Sequence, residues 1–221
     1  MNPDSKKLKV AKSSLDYIEH DCVLGVGTGS TVNFLIDLLP DLINKIQAVV
    51  SSSDESTKRL EAHGFEVSNL NNIGNIDLYI DGADEATKNL HLIKGGGGAL
   101  TREKILAASA KKFVCIVDDS KIVDRLGKFP LPIEVLPMAQ SYIAREIVKM
   151  KGQPILRENF ITDNGNHILD IHNLDITNPI ETETIINQIP GVMTVGIFAR
   201  RPADILLIAE ENTIKIITHK D

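Results

Sequence analysis

The 221-residue chain is long enough for one large domain or for a large and a small one, and its 43% hydrophobic content excludes a disordered chain. With 4% aromatic residues and no Trp the core has to be aliphatic, and a net charge of −6 argues against a general nucleic-acid binder. Residues 1–15 are charged and lack an apolar signal core, and no apolar run approaches the length of a membrane span, so a soluble cytoplasmic protein is expected.

A first helix is predicted over residues 5–18. An apolar strand at 22–27 ends in glycines, and a helix follows over 30–39. A second strand takes 46–50. Ser52-Ser53-Asp54-Glu55 reads as a capping box opening a helix to about residue 63. A weak strand at 65–67 precedes a strong one at 76–80 that ends on Asp81. A helix over 101–111 and a strand over 113–117, ending in Asp118-Asp119, complete the first half. Strands that are apolar along their whole length and separated by helices imply an open parallel sheet with helices on both faces, a Rossmann-like α/β arrangement. Cys22 and Cys115 fall in two of these strands and read as buried, reduced thiols. No CxxC is present to suggest a zinc site or a redox pair.

The pattern changes at Phe129-Pro130-Leu131-Pro132. A strand at 133–136, a helix at 138–150, a hairpin turning at Asn164-Gly165, a helix at 180–189 and a strand at 192–199 follow. That βαββαβ order suits a small α+β, ferredoxin-like domain. Two last strands, 204–208 and 213–218, are expected to return to the first domain. The expected division is therefore 1–129 with 204–221 as the catalytic Rossmann-like domain, and 130–203 as the small one.

Three stretches carry chemistry. Gly25-Val26-Gly27-Thr28-Gly29-Ser30-Thr31 follows a strand and opens a helix, where free N–H groups and hydroxyls favour a phosphate. It does not fit a dinucleotide site, because Ser30 stands where the third glycine belongs and the next strand ends in Ser51-Ser52-Ser53 rather than an acid. Nor does it fit a P-loop, since no lysine precedes Ser30-Thr31.

Asp81-Gly82-Ala83-Asp84-Glu85 is the second stretch. Its turn can aim two carboxylates into one pocket, one holding a proton while the other stays ionised. A solvated turn or a magnesium site would use the same residues, but nearby Lys94 opposes a metal ion. The third stretch is Lys94-Gly95-Gly96-Gly97-Gly98-Ala99-Leu100-Thr101-Arg102-Glu103-Lys104. Lys94 can neutralise a developing oxyanion. Glu103, near a helix start, is favoured there in its ionised, weakly basic form, so a proton-abstracting role requires burial. Lys121, beyond another strand end, is a candidate phosphate contact. The six histidines show no metal or triad spacing. A phosphate loop, two acids, an oxyanion-stabilising lysine and a carboxylate base suit proton shuttling beside a carbonyl. That is aldose–ketose isomerisation of a sugar phosphate through an enediolate.

With these blocks, together with Gly127 to Pro132, Thr162 to Asn166 and Pro190 to Gly196, the chain resembles ribose-5-phosphate isomerase of the A type over nearly its whole length. The resemblance implies interconversion of D-ribose 5-phosphate and D-ribulose 5-phosphate in the non-oxidative pentose phosphate pathway. It implies no metal or organic cofactor, a homodimer or sometimes a tetramer, and no nucleic-acid or membrane partner. It makes Glu103 the base between C1 and C2 and Lys94 the stabiliser of the enediolate. Asp81 and Asp84 would handle hydroxyl protons and ring opening, with Gly82, Ala83, Gly95, Gly96 and Gly97 lining the substrate. Thr28, Gly29, Ser30, Thr31 and Lys121 would hold the substrate and its phosphate, and Lys7 is a weaker binding candidate. Gly98 stands where a small residue, often alanine, is expected, a difference that should do little harm. A sugar-phosphate-sensing domain of a transcription regulator is the binding-only alternative, but the acids, Lys94 and Glu103 are all kept and no basic helix-turn-helix precedes Cys22.

Overall fold

In the computed structural model, residues 2–218 are described. The elements run α1 (Pro3–Ser14), β1 (Cys22–Val26), α2 (Ser30–Leu38), β2 (Ile46–Ser51), α3 (Asp54–Ala62), β3 (Ile76–Asp81), β4 (Glu85–Ala86), β5 (Leu92–Ile93), α4 (Leu100–Ser109) and β6 (Ala110–Asp118). Then come β7 (Leu131–Val135), α5 (Gln140–Lys149), β8 (Gln153–Leu156), β9 (His167–His172), α6 (Pro179–Asn187), β10 (Val192–Val195), β11 (Ile197–Phe198), β12 (Ile205–Ala209) and β13 (Ile214–Thr218).

Two compact units result. The first comprises the described residues up to Gly82, Arg102–Lys121 and those from Ala203 on; the second comprises Ala83–Thr101 and Ile122–Pro202. The first unit is a six-stranded sheet in the order β13-β12-β6-β3-β1-β2, parallel except for the antiparallel edge strand β13. Its apolar strands bury both faces, and Leu24, Ile80, Ile116 and Leu207 are all fully buried. Each such side chain contributes about 1.5–3 kcal/mol through lost apolar hydration. β1 has β2 on one side and β3 on the other, so the strand order reverses there. In open α/β sheets the crevice at such a reversal, beyond the carboxyl ends of the strands, is where ligands bind. Cys22 and Cys115 are free and buried, and burial pushes the Cys22 thiol up to about 11.

The second unit holds a four-stranded antiparallel sheet in the order β10-β7-β9-β8, with α5 and α6 in the connections. That is the ferredoxin-like order expected for βαββαβ. It also holds a sheet of three short strands, β11-β5-β4, of which β11 lies within the strand predicted over 192–199. The compact units part at other residues than the expected division, since 83–101 and 122–129 pack with the second unit. The reason is local. The buried Glu85 carboxylate accepts the N–H groups of Gly127 (2.8 Å) and Phe129, and the Val123 N–H bonds the Ala86 carbonyl at 3.0 Å.

Several predicted elements shift. The cap of α3 is Ser53, whose Oγ accepts the Ser56 N–H at 3.1 Å, so the Ser52–Glu55 box does not form. Ser52 is still held by the sheet, its N–H bonding the Val26 carbonyl at 3.0 Å. The segment 65–67 makes only an isolated bridge between Val67 and Val49. The predicted helix to residue 111 stops at Ser109, because Ala110 already pairs with Ile76. The single strand predicted over 192–199 is two, parted at Gly196. The Gly196 N–H reaches the Pro132 carbonyl at 2.8 Å, and its carbonyl receives the Lys94 N–H at 2.9 Å, so the chain passes from one sheet to another. The Asn164-Gly165 turn exists, with the Gly165 N–H on the Thr162 carbonyl at 2.8 Å, but residues 157–166 separate the paired strands.

Those ten residues are fastened by a buried charge. Glu134 on β7 is fully buried and accepts hydrogen bonds from Thr162 Oγ1 (2.9 Å), Asn164 Nδ2 (3.1 Å), Asn166 Nδ2 (2.9 Å) and Thr101 Oγ1. Four donors replace the water lost on burial, as a buried carboxylate requires. The Thr162 to Asn166 block therefore serves to solvate Glu134.

Candidate active site

In the first unit the site is built at the ends of β1, β2 and β3. The Gly27 N–H continues the ladder to the Ile80 carbonyl at 2.9 Å, which brings the loop after β1 alongside Asp81. Asp81 is fully buried. Its Oδ1 accepts the Thr28 N–H at 3.1 Å and the Gly82 N–H at 2.7 Å, and its Oδ2 accepts the Tyr79 hydroxyl. A Cβ on Gly27 would fall 2.0 Å from the Asp81 carboxylate, and one on Gly25 would fall 2.9 Å from the Tyr79 ring. These two glycines are thus set by packing against Tyr79 and Asp81 rather than by room for a phosphate.

Thr28 joins a cluster of hydroxyls, with Oγ1 at 2.7 Å from Ser52 Oγ and 2.8 Å from Ser53 Oγ; the Ser56 hydroxyl closes on the Gly27 carbonyl at 2.7 Å. Gly29, Ser30 and Thr31 form the start of α2, where Gly29 is the cap and supplies no side-chain hydrogen bond. Gly29 and Ser30 are exposed, so the first N–H groups of α2 are presented outward, as anion binding requires.

Glu103 lies in the first turn of α4, is 4% exposed, and its Oε2 is sealed from solvent. The burial that a proton-abstracting role demands is present. Burial first, then the charges of Asp81 and Glu103, push the ionisation of the Tyr79 phenol well above its ordinary range. The two carboxylates and the phenol thus share one electrostatic neighbourhood. Lys121 ends the turn after β6, where Asp118 accepts the Ser120 N–H at 2.9 Å. The Lys6 ammonium pairs with Asp119 at 2.7 Å and ties α1 to that turn, whereas the Lys7 ammonium lies 3.4 Å from Asp4 on its own helix.

In the second unit Asp84 and Lys94 are placed by the three short strands. The Asp84 N–H bonds the Ile93 carbonyl at 2.9 Å, and the Asp84 carboxylate accepts the Gly96 N–H at 2.7 Å. Lys94 is 2% exposed, with its ammonium 5.8 Å from the centre of the Phe198 ring, close enough for a cation–π attraction. Gly96 and Gly97 are exposed and Gly95 is buried; Ala83 and Gly82 are partly buried. Gly98 fits this chain as glycine. It sits at φ +80°, and a Cβ there would meet the Phe160 ring at 2.2 Å, so alanine is not a harmless exchange unless Phe160 moves.

Sequence reasoning missed Tyr79 and the roles of Ser52 and Ser53. One signal was available: Tyr79 and Asp81 are two apart on a strand and so face the same way, in a chain with only three tyrosines. Among the described residues no group of three His, Cys, Asp or Glu side chains could hold a metal ion, and no helix is long and apolar enough to cross a membrane.

Comparison with known proteins adds the following. The family described as ribose 5-phosphate isomerase A (phosphoriboisomerase A) matches residues 48–213. The crystal structure of ribose 5-phosphate isomerase A from Neisseria gonorrhoeae is 43% identical, with 100% of this chain and 99% of that one covered and a TM-score of 0.97. The ribose 5-phosphate isomerase A of Methanocaldococcus jannaschii is 36% identical, covering 97% and 99%, with a TM-score of 0.92. A D-ribose-5-phosphate isomerase in complex with phospho-erythronic acid is 38% identical, covering 99% and 100%, with a TM-score of 0.95.

Proposed function

This chain belongs to the ribose 5-phosphate isomerase A family, and we propose on that footing how its own residues divide the work. The protein is an aldose–ketose isomerase that interconverts D-ribose 5-phosphate and D-ribulose 5-phosphate through an enediolate, a step of the non-oxidative pentose phosphate pathway. Glu103 is the base that takes the proton from C2 of the open-chain aldose and returns it to C1. Lys94 holds the negative oxygen of the enediolate. Asp81 and Asp84 handle the hydroxyl protons and ring opening. The start of α2, from Thr28 to Thr31, and Lys121 hold the substrate and its phosphate, with Lys7 a weaker contact. Gly82, Ala83, Gly95, Gly96 and Gly97 line the sugar.

The observation that carries this reading is the burial of Glu103, at 4% exposure in a helix turn where an acid is ordinarily solvated. Burial keeps bulk water from the carboxylate, as proton transfer to and from carbon requires. The mechanism calls on no metal or organic cofactor. Turnover of ribose 5-phosphate is expected to be the same with and without a chelator. Loss of activity with chelator, restored by a divalent cation, would remove the metal-free reading.

A homodimer in the cytoplasm is the expected working form. The second unit exposes Leu136, Met138, Tyr142, Val148, Ile155 and Ile161, with Met138 at 93%, an apolar surface suited to a second copy of the chain. Light scattering in solution should return twice the mass of one chain; a monomer mass at working concentration would count against it.

A further inference from the structure

We propose that Tyr79 is a positioning residue for the isomerisation, holding the Asp81 carboxylate in the orientation its proton handling needs. The inference rests on the assignment of Asp81 as a catalytic group. Three observations carry it.

The first is the hydrogen bonding of Asp81 itself. Backbone N–H groups of Thr28 and Gly82 hold Oδ1 at 3.1 and 2.7 Å, while the Tyr79 hydroxyl donates to Oδ2. Backbone donors thus hold one oxygen of the carboxylate and a side-chain donor holds the other. The phenol reaches that second oxygen from two residues back on the same strand.

The second is the rigidity of the phenol. Tyr79 is fully buried in β3, and its ring centre lies 5.0 Å from that of Phe113 at an angle of 34°. Its cross-strand partner is Gly25, and any side chain there would meet the ring, at 2.9 Å for the Cβ alone. A ring packed this closely keeps its hydroxyl in place. Phenylalanine would fill the same space beside Phe113, so packing alone does not call for a hydroxyl, which is unfavourable there unless it is bonded.

The third is the state of that hydroxyl. Burial and the negative charges of Asp81 and Glu103 keep it protonated, so it remains a donor and does not compete as a base. A misplacement of 1 Å can cost about 100-fold in rate, so an Asp81 that has lost its bond from Tyr79 should be slow without being unable to bind substrate.

The test uses Tyr79→Phe, Asp81→Asn and the double variant, with kcat, KM and thermal midpoint read for each. Tyr79→Phe is expected to lower kcat by about 10- to 100-fold with KM nearly unchanged. In the double variant it should slow the enzyme no further than Asp81→Asn alone, because the phenol acts through Asp81. Wild-type kcat for Tyr79→Phe beside a slow Asp81→Asn would overturn the inference alone, as would two losses that multiply in full. A lowered thermal midpoint with kcat intact would mark Tyr79 as structural and overturn it too. Wild-type turnover by Asp81→Asn would remove the assignment of Asp81, and the inference with it.

Discussion

Glu103→Gln is expected to lower kcat on ribose 5-phosphate by about 10²- to 10⁴-fold, the range a positioned general base supplies, while KM changes little. The amide has the size and shape of the carboxylate and can occupy the same buried place in the first turn of α4, but it cannot take a proton from carbon. The thermal midpoint is read beside the rate, so that a loss of folding is told apart from a loss of chemistry. A rate lost at unchanged stability is what separates chemistry from folding here. Steady-state kinetics at saturating substrate would measure it, and incorporation of solvent deuterium at carbon should fall in step. Near-normal turnover by the folded variant would withdraw the role.

Lys94→Ala should lower kcat by about 10²- to 10³-fold and weaken ground-state binding much less. The charge that Lys94 meets grows as the enediolate forms, so its attraction counts most in the transition state. At 2% exposure, with its ammonium above the Phe198 ring, the lysine works where water screens little. Its backbone is held independently, the N–H bonding Gly196 at 2.9 Å, so truncating the side chain leaves β5 paired with β11. A defect confined to KM would contradict the assignment.

Much of the fold was legible because its causes are local. Apolar runs at β1, β2, β3 and β6, each followed by a turn or a helix start, dictate a parallel sheet, and the βαββαβ order of the second half dictates its sheet order. Asp81, Asp84, Lys94 and Glu103 stood out for the same reason, as charged residues at strand ends and a helix start beside glycines. The misread elements share a different cause. Ser53 displaces Ser52 as the cap of α3 because Val26 holds the Ser52 N–H. The last predicted strand breaks at Gly196 because Pro132 and Lys94, both distant in sequence, take its hydrogen bonds.

The amino-acid sequence by itself determined the class of fold, the family and the chemical types gathered at the strand ends, since composition, periodicity and motif spacing are properties of neighbouring residues. Only the tertiary structure decided that Gly25 and Gly27 yield space to Tyr79 and Asp81, that Glu103 is buried, and that Thr162, Asn164 and Asn166 solvate Glu134. Each of these depends on which distant backbone arrives within hydrogen-bonding or van der Waals reach, and no local preference encodes that meeting. Burial in turn sets how strongly a carboxylate is desolvated, and so what Glu103 can do to a proton.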